Sequence, residues 1–258
     1  MRNRLSVAVI ALNEEERLRA CLESVAWADE IVVVDAGSSD KTAEIAREFT
    51  DRVLFHPWEG YAAQKNYALA QSRHPWLLSL DADELVSPAL HAEIEEVLER
   101  DGPADGYQIP RQNIFLGRAV RHGTLYPDYQ LRLFRRGLGA FVPTSVHESV
   151  RVEGRTARLA APLIHESYRS LDEFVTRANR YSTLAARELG AQGRGGGWTD
   201  LLLRPAWRFF SMYILHRGFL DGWRGLLLAI LYAYYVFLRA AKVREASLQD
   251  PEPGGVVQ

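Results

Sequence analysis

Apolar and polar positions over the first hundred residues fall into two alternating textures. Short, near-continuous apolar runs read as strands buried on both faces, and between them apolar side chains recur every three or four positions, as on a helix. Leu5-Ser6-Val7-Ala8-Val9-Ile10-Ala11 is the first run. Leu18, Leu22 and Val25 then line one helical face, with Asn13 and Glu16 spaced as a capping box ahead of it. Residues 30–35 make a second strand, and Gly37 supplies a turn residue suited to positive φ. Ser39 or Asp40 is placed to cap a helix running through Phe49. Residues 52–55 form a short strand, 61–72 a helix and 76–80 a further strand; after Pro88 a helix extends over 91–100 with Leu90, Ile94, Val97 and Leu98 inward. This alternation predicts an α/β fold with a mostly parallel sheet covered by helices, and ligands of such sheets gather outside the carboxyl ends of the strands. Asn13, Asp35 and Asp81 all fall at such ends.

The texture changes after Asp101-Gly102-Pro103. Residues 106–115 and 129–134 read as strands with no helix between them, so the second half is expected to be mixed or antiparallel. Ser170-Leu171-Asp172-Glu173 opens a helix ending near Gly190, and residues 193–197 form a glycine-rich hinge. The predicted organisation is a domain over 1–192, made of two halves, 1–100 and 101–192. Apolar helices follow over 198–247, then a disordered tail over 248–258.

The apolar tail narrows the partner class. Residues 226–238 read Leu-Leu-Leu-Ala-Ile-Leu-Tyr-Ala-Tyr-Tyr-Val-Phe-Leu, flanked by Arg224, Arg239, Lys242 and Arg244. As a helix this run covers about 20 Å, short of the roughly 30 Å hydrocarbon layer. With the upstream apolar stretch around Trp207, Arg204 and Arg208, a helix pair lying in the headgroup plane is expected, the alternative being a buried helical hairpin. The N-terminus, basic but followed by a short apolar run that ends in Asn13-Glu14-Glu15-Glu16, does not read as a secretory signal. The N-terminus is expected to be cytosolic, with the protein peripheral or monotopic at a membrane.

Bulk composition adds exclusions. The chain has 258 residues, 47% of them apolar, ample for a core. A formal net charge of −2 gives no general attraction to nucleic acid. Cys21 is the single cysteine, which rules out an internal disulfide framework, and its helical setting marks it as core.

The strongest chemical signal is Asp81-Ala82-Asp83-Glu84, directly after the strand Trp76–Leu80. Two carboxylates one residue apart at a strand end can converge on one hard cation, which keeps bound waters and holds nucleotide phosphates. An all-oxygen set suits Mg²⁺ or Mn²⁺. Asp83 is the first choice as metal ligand, with Asp81 beside the nucleotide. Asp35, at the earlier strand end beside a glycine turn, faces the same crevice.

These segments carry a family resemblance. Residues 6–15 (Ser-Val-Ala-Val-Ile-Ala-Leu-Asn-Glu-Glu), Val34-Asp35-Ala36-Gly37-Ser38-Ser39-Asp40 and Asp81-Ala82-Asp83-Glu84 resemble glycosyltransferase family 2. The resemblance implies a GT-A nucleotide-diphospho-sugar transferase fold and inversion at the anomeric centre. Tyr126-Pro127-Asp128-Tyr129-Gln130-Leu131-Arg132-Leu133-Phe134-Arg135-Arg136, Val146-His147-Glu148 and Gly218-Phe219-Leu220-Asp221-Gly222 are similar to the branch of bacterial lipopolysaccharide-core β-glucosyltransferases. By resemblance, Asp35 contacts the nucleobase, and Ala11, Asn13, Glu14, Gly37 and Ala82 line the donor pocket. Asn13 is equally placed as a plain helix cap, and Lys65 either faces the nucleotide or is solvated.

Inversion requires a general base near the acceptor hydroxyl. Glu148 is preferred over Asp128, although the family's usual acidic pair is missing. His147 is either a further metal ligand or structural, and His165 is a weaker candidate for either role. Arg132 alternates inward with Gln130 and Phe134 and is the choice for the diphosphate, whereas Arg135 and Arg136 fit a solvated strand edge. The resulting expectation is a hexosyltransferase taking glucose from a UDP-sugar to a lipid-linked or lipopolysaccharide-core acceptor. A nucleotidyltransferase would need a Gly-rich basic loop where Asn13–Glu16 stands, and a dehydrogenase would need Gly-x-Gly-x-x-Gly after the first strand. A non-catalytic membrane scaffold with a relic pocket is the remaining alternative.

Overall fold

The computed structural model describes residues 2–142 and 149–249. His147, Glu148 and the expected tail from residue 250 onward lie outside the described residues. The chain divides into two compact units, one running from the N-terminus to Ile114 and resuming over Pro127–Ser167, the other made of Phe115–Tyr126 and the chain from Tyr168 onward.

The first unit begins with β1 (Leu5–Ala11), α1 (Leu18–Glu23), β2 (Glu30–Asp35), α2 (Thr42–Arg47), β3 (Val53–Phe55), α3 (Tyr61–Gln71) and β4 (Trp76–Asp81). Next come β5 (Glu84–Val86) and α4 (Pro88–Arg100). β1 is buried along its whole length, as expected of a strand covered on both faces. It pairs in parallel with β2 and β4, and β3 pairs in parallel with β2. Alternate residues feed two layers. Val7, Val9, Val33 and Leu78 pack with Leu18, Leu22, Ile94 and Leu98 on one side. Ala8, Ile10, Val32 and Val34 pack with Ala68 and Leu69 of α3 on the other. Ser87 caps α4 by accepting a hydrogen bond from the Leu90 backbone, with Pro88 in the first turn.

Farther along the chain come β6 (Gly106–Phe115), β7 (Arg118–Ala119, a part of the second unit), β8 (Asp128–Arg135), β9 (Gly139–Val142), β10 (Ser149–Val152), β11 (Thr156–Arg158) and β12 (Leu163–Tyr168). The main sheet runs β3-β2-β1-β4-β8-β6-β12-β5, with β8 antiparallel to both β4 and β6. The expected mixed second half is therefore present. Its consequence for the site is topological: β5 follows β4 by two residues yet pairs at the far end of the order with β12. The turn at Ala82-Asp83 is thereby brought against β12.

Two expected details differ. α1 starts at Leu18 and has no side-chain cap. Asn13 does not cap it; it adopts φ 55°, and its Oδ1 accepts from the Ser39 backbone N–H and hydroxyl. The side chain that could have opened the helix instead ties two loops together. The second helix is also shorter than predicted, Thr42–Arg47, with Asp40 accepting from Thr42 at its start.

The second unit contains α5 (Leu171–Ala191), a π-helical turn Thr199–Leu203, α6 (Arg204–Phe210), a second π turn Ser211–Leu215, a 3₁₀ turn Gly218–Asp221 and α7 (Gly222–Gln249). Ser170 caps α5 as predicted. Phe115, Val120 and Leu228 form its small core, with Tyr168 and Tyr232 against them. The Lys242 ammonium donates to Asn179, Ser182 and Thr183, joining α7 to α5. α7 has 28 residues, so the apolar run read from sequence is only the centre of a longer helix. By length and composition the stretch Gly218–Leu248 is long and apolar enough to cross a membrane, and most of it is not buried within the protein.

Candidate active site

The strand ends hold the acidic residues where the sequence placed them. In register, Ala11 lies opposite Asp35 and Ile10 opposite Asp81. Asp35 and Asp81 therefore end neighbouring strands on either side of β1, roughly 10 Å apart at the backbone by strand spacing. Asp35 is 7% exposed, and its carboxylate accepts from the Gly37 and Ser38 backbone N–H groups. Gly37 turns the chain at φ +97°, a conformation that side chains rarely adopt. The loops after β1 and β2 are stitched together: Asn13 N donates to Ser38 Oγ, Glu14 N to Thr42 Oγ1 and Glu15 N to Asp40 Oδ2. Ala11 closes this corner by accepting from Ala36 N.

Around Asp81 the charges form a chain. Lys65, buried on α3, pairs with Asp81 Oδ1 at 2.8 Å. The solvated reading of Lys65 is thus set aside. Arg132, on β8, places one Nη2 at 2.7 Å from Asp81 and 2.6 Å from Glu84. Glu84 is fully buried and also accepts from the Asp81 backbone N–H. Arg111, on β6, lies 3.7 Å from Glu84 and forks onto Asp128 Oδ2 through Nε and Nη2. Gln130 donates to the other Asp128 oxygen. Burial alone would raise the Asp81 carboxyl; the attraction of Lys65 and then Arg132 outweighs it and holds the group well below the usual carboxylate range. Burial also works against the Arg132 cation, but Glu84 and Asp81 overcome it and fix the charge more firmly than usual. Cys21 lies beneath, its thiol pushed up by burial and by the nearby carboxylates, consistent with a core role.

Ala82 is buried, and Asp83 lies against β12. Its Oδ2 lies 3.3 Å from His165 Nε2, and its carbonyl accepts from the Glu166 backbone. His165 Nδ1 is 2.7 Å from Asn113 Oδ1, an acceptor that Ser167 Oγ also reaches. An imidazole whose second nitrogen lies against an oxygen is how metal-bound histidines are oriented. The pair fits a divalent ion held by one oxygen and one nitrogen. Among the described residues no group of three or more His, Cys, Asp or Glu could hold a metal. The remaining positions would fall to phosphate and water, as small divalent ions in nucleotide sites commonly arrange.

Arg135 and Arg136 sit at the other end of β8. Arg135 pairs with Asp101 and stacks on Trp76, and Arg136 donates to the Ser72 and Arg73 carbonyls. Sequence reasoning gave no role to Arg111 or Glu84. For Arg111 the signal was available: it shares the face of β6 with Asn113 at a spacing of two.

The sequence matches the family described as Glycosyl transferase family 2 over residues 6–152. It is 34% identical over 256 residues to the lipopolysaccharide core biosynthesis glycosyltransferase LpsC of Rhizobium meliloti, an alignment covering 96% of this chain and 95% of that one. This chain belongs to glycosyltransferase family 2. A second family relative, an uncharacterized glycosyltransferase of Rickettsia bellii, is 31% identical over 260 residues, covering 95% of this chain and 88% of its own. Among solved structures, the mannosyltransferase PcManGT from Pyrobaculum calidifontis, in complex with GDP-Man and Mn²⁺, aligns with a TM-score of 0.53 at 17% identity. That alignment covers 94% of this glycosyltransferase and 87% of the mannosyltransferase. The expected GT-A arrangement, a mixed sheet flanked by helices with an apolar C-terminal helix, is the one this family member adopts.

Proposed function

We propose that the protein is an inverting, metal-dependent hexosyltransferase that moves glucose from UDP-glucose to a lipid-linked or lipopolysaccharide-core acceptor. It would work at the cytoplasmic face of the inner membrane. The observation that supports the reading is that Asp35 and Asp81 end β2 and β4 on either side of β1, with Asp83 two residues beyond Asp81 and 3.3 Å from His165. The acceptor class follows the name of the Rhizobium relative.

In this reading Asp35 accepts the imide N–H of the uracil, and Asn13, Glu14 and the Gly37 turn border the base. Asp83 and His165 are the residues that would hold Mn²⁺ or Mg²⁺, with His147 as a further ligand. A divalent ion bound there would neutralise charge on the departing diphosphate. Lys65 and Arg132 keep Asp81 ionised and fixed in position. Glu148 serves as the base that takes the acceptor proton. The preference over Asp128 is supported by the hydrogen bonds that already occupy both Asp128 oxygens, from Arg111 and Gln130. Asp128 is then a positioning residue for the acceptor strand.

A thermal-shift panel of nucleotide sugars tests the donor. UDP-glucose with Mn²⁺ is expected to raise the unfolding midpoint, and GDP- or ADP-sugars to leave it unchanged. If no nucleotide sugar shifts it, with or without metal, the donor reading fails.

Membrane contact is proposed from the second unit. Trp198, Trp207 and Trp223 are each more than half exposed, along with Leu202, Leu203 and Leu220. Tryptophan beside arginine on an apolar surface suits the headgroup region. Replacing the three tryptophans together with glutamine is expected to cut co-sedimentation with anionic vesicles at least several-fold while leaving UDP binding intact. Unchanged pelleting would remove the membrane from the proposal.

A further inference from the structure

We propose that the ring of Phe55 is the stacking face for the donor's nucleobase. The proposal rests on the nucleotide-sugar reading and adds a residue that neither the motifs nor the comparisons assign.

Among the described residues of the first unit, the exposed large apolar side chains are Leu12, Phe55, Trp58 and Tyr61. They are not scattered. Leu12 follows β1, Phe55 ends β3, and Trp58 and Tyr61 lie on the loop and helix start after it. β2 runs between β1 and β3, so Leu12 and Phe55 border the strand that ends in Asp35. Phe55 is opposite Asp35 in register and is 68% exposed. Side chains opposite one another in paired strands share a face. The ring also reaches the Asp35 turn: a Cβ placed on Gly37 would meet Phe55 Cε2 at 3.4 Å. The carboxylate, the glycine turn and the aromatic ring thus form one corner.

The corner is held in place. His56 N donates to the Asp35 carbonyl, and His56 Nδ1 lies 3.0 Å from Gln64 Oε1. Gln64, fully buried, donates back to the His56 carbonyl. The His56 ring packs on Tyr67, and Trp58 meets Tyr61 edge to face. An exposed phenylalanine on an anchored strand end loses little entropy when it receives a flat ligand. A base supplies a π-face for the ring, and its imide edge meets the acceptor oxygens of Asp35. Stacking of a base on an aromatic side chain commonly changes affinity by about five- to a hundredfold.

The test is calorimetric titration of UDP and, separately, of pyrophosphate, each with Mn²⁺, into wild type, Phe55→Ala and Phe55→Tyr. The expected result is a loss of about tenfold or more in UDP affinity for Phe55→Ala. Pyrophosphate affinity should stay within about twofold, with UDP binding retained in Phe55→Tyr. The exposed ring contributes little to the core, so thermal midpoints should match. Wild-type binding of UDP with equal affinity in Phe55→Ala overturns the stacking role and leaves the donor reading standing. Equal losses for UDP and pyrophosphate also overturn it, since the ring would then act on the whole site. Wild type that binds pyrophosphate but no more tightly binds UDP removes the nucleoside from the donor reading itself.

Discussion

Arg132→Met is expected to destabilise the protein by about 3–5 kcal/mol, the usual result of removing one partner from a buried ion cluster. Arg132 is 5% exposed and Glu84 is not exposed at all. With the guanidinium gone, Asp81 retains Lys65 at 2.8 Å, but the nearest cation to Glu84 is then Arg111 at 3.7 Å. The loss therefore falls on Glu84. The double variant Arg132→Met, Glu84→Gln should recover much of the stability, because it removes the stranded charge along with its partner. Urea denaturation at neutral pH measures both. A single variant as stable as wild type would mean that the cluster is not buried in solution. The same cluster predicts acid sensitivity. Asp81 titrates far below its unfolded value of about 3.9, so its contribution is complete above that pH and declines as the pH falls below it. Replacing Arg132 should flatten this acid limb of the stability curve.

Asp83→Ala is expected to lower sugar transfer by at least about a thousandfold, because a bound cation supplies several kcal/mol of charge stabilisation at the phosphate. The fold should survive, with a midpoint within about 4 °C of wild type. His165→Ala should reduce transfer less, by about ten- to a hundredfold, the range seen when an orienting or secondary ligand is lost. Isothermal titration with Mn²⁺ in the presence of UDP checks both roles: metal affinity should drop in each variant. Turnover undiminished in Asp83→Ala would end the metal role of that residue.

Much of the parallel half of the sheet was legible because parallel strands covered on both faces appear as unbroken apolar runs. β1, β2 and β4 begin where their runs begin, and the carboxylates at their ends follow from that. What escaped detection has particular causes. β5 opens with Glu84, a charge at a fully buried strand position. Nothing local marks such a residue as interior; the arginines that permit it come from 27 and 48 residues downstream. The strands from β9 to β12 span three to six residues each, too few for a period to show. Asn13 carried a cap-like spacing, but Ser39, distant in sequence, competed for the same oxygen and won. His165 was seen only as a lesser candidate because its partner Asp83 reaches it through pairing of β5 with β12, which no sequence spacing reveals.

The second unit is assembled from two separate stretches of chain, Phe115–Tyr126 and everything from Tyr168 onward. Cutting the gene after Ser167 would therefore not yield a clean catalytic piece. Phe115 and Val120, whose cover includes Leu228, would be left as a greasy loop in the middle of the remaining polypeptide, inviting clumping that would sediment and be mistaken for retained lipid anchoring.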